Sequence, residues 1–384
     1  MPPKKSAKTS HSPSSAKPNK RPAPSPSPAK RANTSPAKTR AAPSPAKPRA
    51  RSPKQVAAAK ETTTPSLLDT LIVPLLLILV SPLLCHLLAH LTATAPTLLG
   101  GHELFAKHGL VGAARIVAAT TLPTLAAAKL VAAFMGAALL LYFIPGPIAH
   151  GPLTPNGATP AYVDNGLWHC LLMTLAFLAG SELWLGLYPL SVIFDHFEAT
   201  LGLLNYGGLL FCVLLLIKGH VAPSGPDSGS SKSGIIFDYY WGMELYPRLF
   251  GVDVKRFVNC RFSMTYWMLA GVSFVAASHA RHGVYDPGLV LCALSQFLYL
   301  VKFFVWEIGY MRSIDIITDR AGFYETWGCL VWVPSVYTLH TRSAVVLPSG
   351  LSWPVAAAIF TVGILGVLFH YHADLQRQAF RETR

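Results

Sequence analysis

Tyr299, Lys302, Phe303 and Trp306 recur at i, i+3, i+4 and i+7, so a helix through them carries a phenol, an ammonium and two further aromatic faces on one side. A cation one turn from a phenol favours the ionised phenol, and a phenol beside a substrate can move a proton. The acids Glu307, Asp315 and Asp319 follow in a short polar break, interleaved with Tyr310, Arg320, Tyr324 and Trp332. The bland reading of Lys302 and Glu307 is snorkelling to a membrane interface. A second concentration of the same residue types, Asp238, Trp241, Glu244 and Arg248, lies within residues 234–248. A plain connector has no need of acids set among aromatic residues. Two such loops on one side of a membrane suit an amphipathic ligand entering from the bilayer, as in a lipid-facing enzyme, receptor or transporter.

Other polar residues are weaker signals. His86 and His90 have metal-ligand spacing, but they lack the Glu of H-E-x-x-H and any evident third ligand, so a hydrogen bond between helices is expected. Glu182 and Lys129 fall within apolar runs, where charge defaults to a functional hypothesis. The six cysteines form no C-x-x-C pair and read as small buried hydrophobes, with no disulfide framework or metal site. The chain has no G-x-G-x-x-G, Walker loop or G-x-S-x-G, which leaves a soluble-type dinucleotide or phosphate site unsupported.

The elements that must position these residues are membrane helices. The chain of 384 residues is 52% hydrophobic and 13% charged, against roughly 25% charge in soluble domains. Its net charge of +14 sits on residues 1–65, which hold 15 Lys/Arg and one acid, Glu61. That segment is rich in Pro, Ser, Ala and Lys and is expected to be disordered. Ser27-Pro28-Ala29-Lys30 recurs at 35–38 and 44–47. Such a tail fits contact with anionic lipid or, alternatively, with nucleic acid under control of phosphorylation. Residues 66–384 read as an all-α polytopic membrane domain. A hydrocarbon core of ~30 Å needs ~20 apolar residues, and eight transmembrane helices are expected at about 67–92, 119–144, 166–188, 197–217, 262–280, 287–307, 323–340 and 353–371. With the tail cytosolic, the loops on its side carry eleven Lys/Arg against four opposite (Lys107, Arg115, Arg281, Arg342), as the positive-inside rule requires.

At the two polar loops the residues resemble the sterol reductase family, which includes sterol Δ14-reductases, the lamin B receptor, Δ24(28)-reductases and 7-dehydrocholesterol reductases. The run Gly234 to Arg248 follows the family's G-x-x-x-D-x-x-x-G-x-x-L-x-P-R, with Phe237 and Tyr246 departing from its usual residues. Trp241-Gly-Met-Glu-Leu-Tyr-Pro-Arg248, Lys218–Ser224, Asn259-Cys-Arg-Phe262, Trp306-Glu307 through Tyr324, and Trp327 through Tyr337 resemble the plant-type 7-dehydrocholesterol reductase branch. Δ14-reductases tend to carry an acid where Cys329 stands.

The resemblance implies NADPH-dependent reduction of a ring-B sterol double bond, C7=C8, in the endoplasmic reticulum membrane or the nuclear envelope continuous with it. A Δ14-reductase and a non-enzymatic sterol-binding scaffold akin to the lamin B receptor are the alternatives. It implies Tyr299, Glu307, Asp315 and Asp319 as catalytic residues. Substrate contacts fall to Asp238, Trp241, Glu244, Arg248, Tyr310, Tyr324 and Trp332. Arg377 and Arg381, in Gln376-Arg-Gln-Ala-Phe-Arg381, would meet the cofactor phosphates. The family architecture has ten helices. This chain stops at Arg384 after the eighth, which sets the expectation of a C-terminally truncated reductase with weak turnover or none.

Overall fold

The structure, a computed structural model, describes residues 66–382 except 155. The basic tail, with its expected disorder and contacts, lies outside the described residues.

The apolar runs form helices. In chain order these are α1 (Leu68–Thr94), α2 (Leu98–Thr120), α3 (Leu125–Tyr142), α4 (Gly166–Gly180), α5 (Val192–Asp195) and α6 (Phe197–Val221). They are followed by α7 (Ile235–Trp241), α8 (Met264–His282), α9 (Pro287–Val305), α10 (Glu307–Tyr310) and α11 (Ile314–Thr318), then α12 (Val333–Val336), α13 (Leu339–Val346) and α14 (Trp353–Glu382). Two short antiparallel hairpins interrupt them: β1 (Ile148–His150) with β2 (Ala161–Val163), and β3 (Arg248–Leu249) with β4 (Val252–Asp253). The starts are locally coded. Thr97, Thr124 and Asp286 each accept a backbone N–H of the first turn, and Pro287 sits where no helical N–H is needed. Gly283, at φ 72°, ends α8 in a conformation that disfavours other residues.

Among the described residues, five helices are long and apolar enough to cross a membrane: α1, α3, α6, α9 and α14. The expectation of eight is corrected accordingly. The 166–188 run stops as a helix at Gly180, because residues 181–188 fold into a turn in which Glu182 N–H donates to Tyr188 O (2.9 Å). Glu182 is therefore exposed beyond the helix end rather than mid-span. The 262–280 run is helical, but its Ser, His and Arg residues lower its hydropathy below that of the five. The 323–340 run is not one helix. A π-helical segment, Phe323–Trp332, passes into α12, and α13 begins after a break. A second π-helical segment, Phe257–Ser263, leads into α8 and packs against the first. Helix α2 was not among the expected spans; Gly109, at φ 63°, kinks it.

The core runs through α6, α8 and the two π segments, where α9 also packs on α8 and α14 on α9. Trp327 donates to Asn205 Oδ1 (2.8 Å) across the α6 contact. Arg342, counted above as a loop cation, is buried: it donates to Ala89 O and Thr92 Oγ1, pairs with Glu198 (3.3 Å) and lies over the Phe197 ring. His90 reaches Thr120 of α2 (3.5 Å), a contact between helices of the expected kind.

Candidate active site

A buried ion-pair knot anchors the polar loops. Asp253 caps the turn that begins Val254–Arg256, accepting Arg256 N–H (2.9 Å), and aims the arginine inward. Arg256 Nε meets Glu307 Oε1 at 2.9 Å, and Arg261 meets the same carboxylate at 2.8 and 3.0 Å. Asn165 Oδ1 accepts from both arginines (2.9 and 2.7 Å), while its amide donates to Tyr142 O and Ile144 O. Burial alone would raise the Glu307 carboxyl; Arg261 and Arg256 outweigh it and hold the group below its ordinary value. A carboxylate so enclosed and so strongly paired is a poor proton donor. Glu307 thus holds the knot, and it does not line the groove described below.

The two aromatic loops are joined backbone to backbone. Gly242, at φ 102°, closes α7, and a Cβ there would fall 2.5 Å from Gly322 N. Ala321 N–H donates to Glu244 O (3.0 Å), and Arg320 donates to Met243 O (3.1 Å) and Gly229 O. This contact stacks Trp241 on Tyr324 (5.9 Å) and Tyr240 on Phe323 (6.3 Å), forming one aromatic wall. Behind it Lys255, fully buried, donates to Ile316 O (2.7 Å) and Asp319 O, tying α11 to the β4 end.

Three acids expected to act on a ligand have other partners. Asp238 accepts from Ser230 Oγ (2.6 Å) and from Ser231 N and Oγ (2.8 and 2.6 Å), which fixes the Gly/Ser loop. Glu244 pairs with Lys218 (2.7 Å) and accepts from Ser224 N. Asp319 Oδ1 accepts from Thr318 Oγ1 (2.9 Å). Arg248 is exposed and donates to Ala161 O (3.1 Å), apart from the wall. Trp332 packs against the core and lines no part of the groove.

The groove itself lies between α9, α10–α11 and the C-terminal half of α14, with a volume of about 320 Å³. It gathers Tyr299, Tyr310, Asp315, Arg377 and Arg381 from the sequence expectations. The helical face read from spacing is real: Lys302 lies 5.7 Å from the Tyr299 ring centre and 5.3 Å from that of Trp306. Lys302 is not snorkelling; it pairs with Asp374 (2.7 Å), which also meets His370 (3.3 Å) and Arg377 (3.5 Å). Trp306 donates to Gln378 (2.7 Å), and Arg381 donates to Arg312 O (3.0 Å). Burial pushes the Tyr310 phenol well above its ordinary value, so it stays protonated.

Sequence reasoning missed Asn165, Lys255, Arg256 and Asp374. Asp374 stood three residues before Arg377, a helical pair spacing that could have flagged it. Arg256 stood three residues after a capping Asp.

Comparison with known proteins decides the family. The profile of the Ergosterol biosynthesis ERG4/ERG24 family matches residues 107–384, which include both loops, the ion-pair knot and the groove. The chain belongs to the ERG4/ERG24 sterol reductase family. This family member is 43% identical to a 7-dehydrocholesterol reductase of Arabidopsis thaliana over 68% of the chain and 60% of that relative. It is 29% identical to a 7-dehydrocholesterol reductase of Danio rerio over 62% of the chain and 50% of the relative. A Delta(14)-sterol reductase of Methylotuvimicrobium alcaliphilum matches at 30% over 67% of the chain and 60% of the relative. The chain therefore spans about half to three fifths of the length of these relatives.

Proposed function

We propose that this fold reduces the C7=C8 double bond of a sterol with NADPH, as a multi-pass protein of the endoplasmic reticulum membrane. The groove carries the reading: one wall presents Tyr299 and Tyr310, the other Arg377 and Arg381 one turn apart. The residues fit the cofactor. Exposed arginines one helical turn apart suit phosphate. When bound, NADPH supplies hydride.

The chain's own residues supply the rest. An isolated alkene accepts hydride only as positive charge develops on it, so a proton must reach the other carbon. Tyr299 is assigned that proton transfer. Lys302 lies close enough to meet the charge left on the phenol, and the exposed His370 ring packs 6.4 Å from that of Tyr299. The faces of Trp306 and Tyr310 meet the cation that forms on the sterol. Asp315 is exposed and lines the same groove. One C–H bond forms from the phenol proton and one from hydride, which brings both electrons.

The test is expression in membranes lacking sterol reductases, with NADPH and either Δ7- or Δ14-unsaturated sterol. Reduction of the Δ7 sterol with the Δ14 sterol unchanged supports the reading. Preference for the Δ14 substrate overturns it.

A further inference from the structure

One polar chain near the groove has no part in the chemistry above. Trp267 of α8 donates its indole N–H to Gln296 Oε1 (2.8 Å), and the Gln296 amide contacts His340 Nε2 of α13. Trp267 also packs against Tyr299 (6.0 Å) and Tyr337 (5.1 Å). The proton arrangement follows from the partners. Indole only donates, so the Gln296 oxygen faces Trp267 and its NH₂ faces His340. The His340 Nε2 must then accept, which places the ring proton on Nδ1. No hydrogen bond to Nδ1 occurs among the described residues, and His340 is exposed at the bundle surface. Gln296 is the middle residue of α9, a helix long and apolar enough to cross a membrane, which sets this chain of contacts at mid-depth of that helix. A donor left open at that depth is costly and marks a functional contact.

The geometry points to a binding site for the 3-hydroxyl of a sterol at His340 Nδ1–H, with Gln296, whose amide also reaches Cys292 Sγ (3.7 Å), fixing the ring's tautomer; this rests on the sterol reductase reading above. A ligand taken here needs one acceptor oxygen on an otherwise apolar body, and it must come from the bilayer. A sterol has that chemistry. Gln296 lies one turn from Tyr299 and about 9 Å from Lys302 along the helix at a rise of 1.5 Å per residue. A sterol held by its hydroxyl at His340, beside Gln296, and running toward the groove brings its second ring to the level of Tyr299, where the proposed proton transfer occurs. The pair therefore selects the substrate and sets its register.

The experiment changes the ligand first, so that folding is not at issue. The unsubstituted chain in nanodiscs is titrated with a fluorescent conjugated sterol and with its 3-deoxy analogue, without NADPH. The 3-hydroxy sterol is expected to bind roughly tenfold more tightly, the value of one hydrogen bond made away from water. His340→Phe and Gln296→Leu are each expected to abolish that preference while the 3-deoxy sterol binds as before. In turnover the same variants raise KM for the 3-hydroxy sterol and lower kcat, because the substrate loses its register against Tyr299. Equal binding of the two sterols by the unsubstituted chain, or an unchanged preference in both variants, overturns the proposal. Discrimination between the sterols without any reduction sustains the hydroxyl site and sinks only the reductase reading.

Discussion

Gly166 and Glu307 touch: a Cβ on Gly166 would overlap Glu307 Oε2, so α4 can begin there only because the residue has no side chain. Alanine at 166 must push the carboxylate from Arg256 and Arg261 or move α4. Breaking a buried pair of this kind costs about 3–5 kcal/mol. Gly166→Ala and Glu307→Ala are expected to lower the unfolding temperature in detergent, followed by size-exclusion recovery after heating, and to yield little folded protein.

The same knot has a pH signature. Glu307 is held below its ordinary value in the folded chain, so its contribution is complete above the unfolded carboxylate value and fades as pH falls through the lower folded one. The gap in thermal stability between the unsubstituted chain and Glu307→Gln should be constant from pH 7.5 to about pH 5 and narrow only below about pH 4.3. A gap that widens on acidification would contradict the assignment.

Tyr299→Phe keeps the ring and removes the proton. If Tyr299 is the donor, kcat for sterol reduction falls by about a hundredfold or more while KM for sterol changes little. Steady-state assay in membranes reads both numbers, and a loss confined to KM would reassign Tyr299 to binding.

Arg377 and Arg381 are expected to act on the cofactor alone. Each Arg→Ala change should raise KM for NADPH by about tenfold, the scale of one charge-assisted hydrogen bond, and leave KM for sterol unchanged. Raising salt should reproduce part of the effect, since both arginines are exposed.

Gly242→Ala and Gly322→Ala test the contact between the loops. Overpacking typically costs about 1–3 kcal/mol, and here it also separates Trp241 from Tyr324. Sterol binding should weaken in both variants, while the phosphate end of the groove, measured by NADPH binding, stays as it is.

Apolar runs were legible because a membrane span needs only length and hydropathy, and α1, α3, α6, α9 and α14 fell where those properties placed them. Helical spacing likewise put Tyr299, Lys302 and Trp306 on one face. What the residues could not declare was pairing. Glu307 takes partners 46 and 51 positions away, and Lys302 meets Asp374 72 positions on, distances at which residue type says nothing about neighbours. Acids grouped by sequence as one site were divided by the fold: Asp315 faces the groove, while Asp238, Glu244 and Glu307 hold loops and helices in place. The break in the 323–340 run was hidden for a different reason. A π-helical turn has the same composition as an α-helical one and differs only in register.

Lys255 reaches forward to carbonyls 61 and 64 residues later, and α8 and α9 both lie between. During synthesis its ammonium is therefore made long before its acceptors exist, and α8 and the spanning α9 must both be in place first. The aromatic wall is a late product of assembly. Substitutions anywhere in α8 or α9 that delay insertion leave a buried cation waiting beside an unfinished site, and their damage should surface as retention and degradation of the newly made chain rather than as an altered reaction.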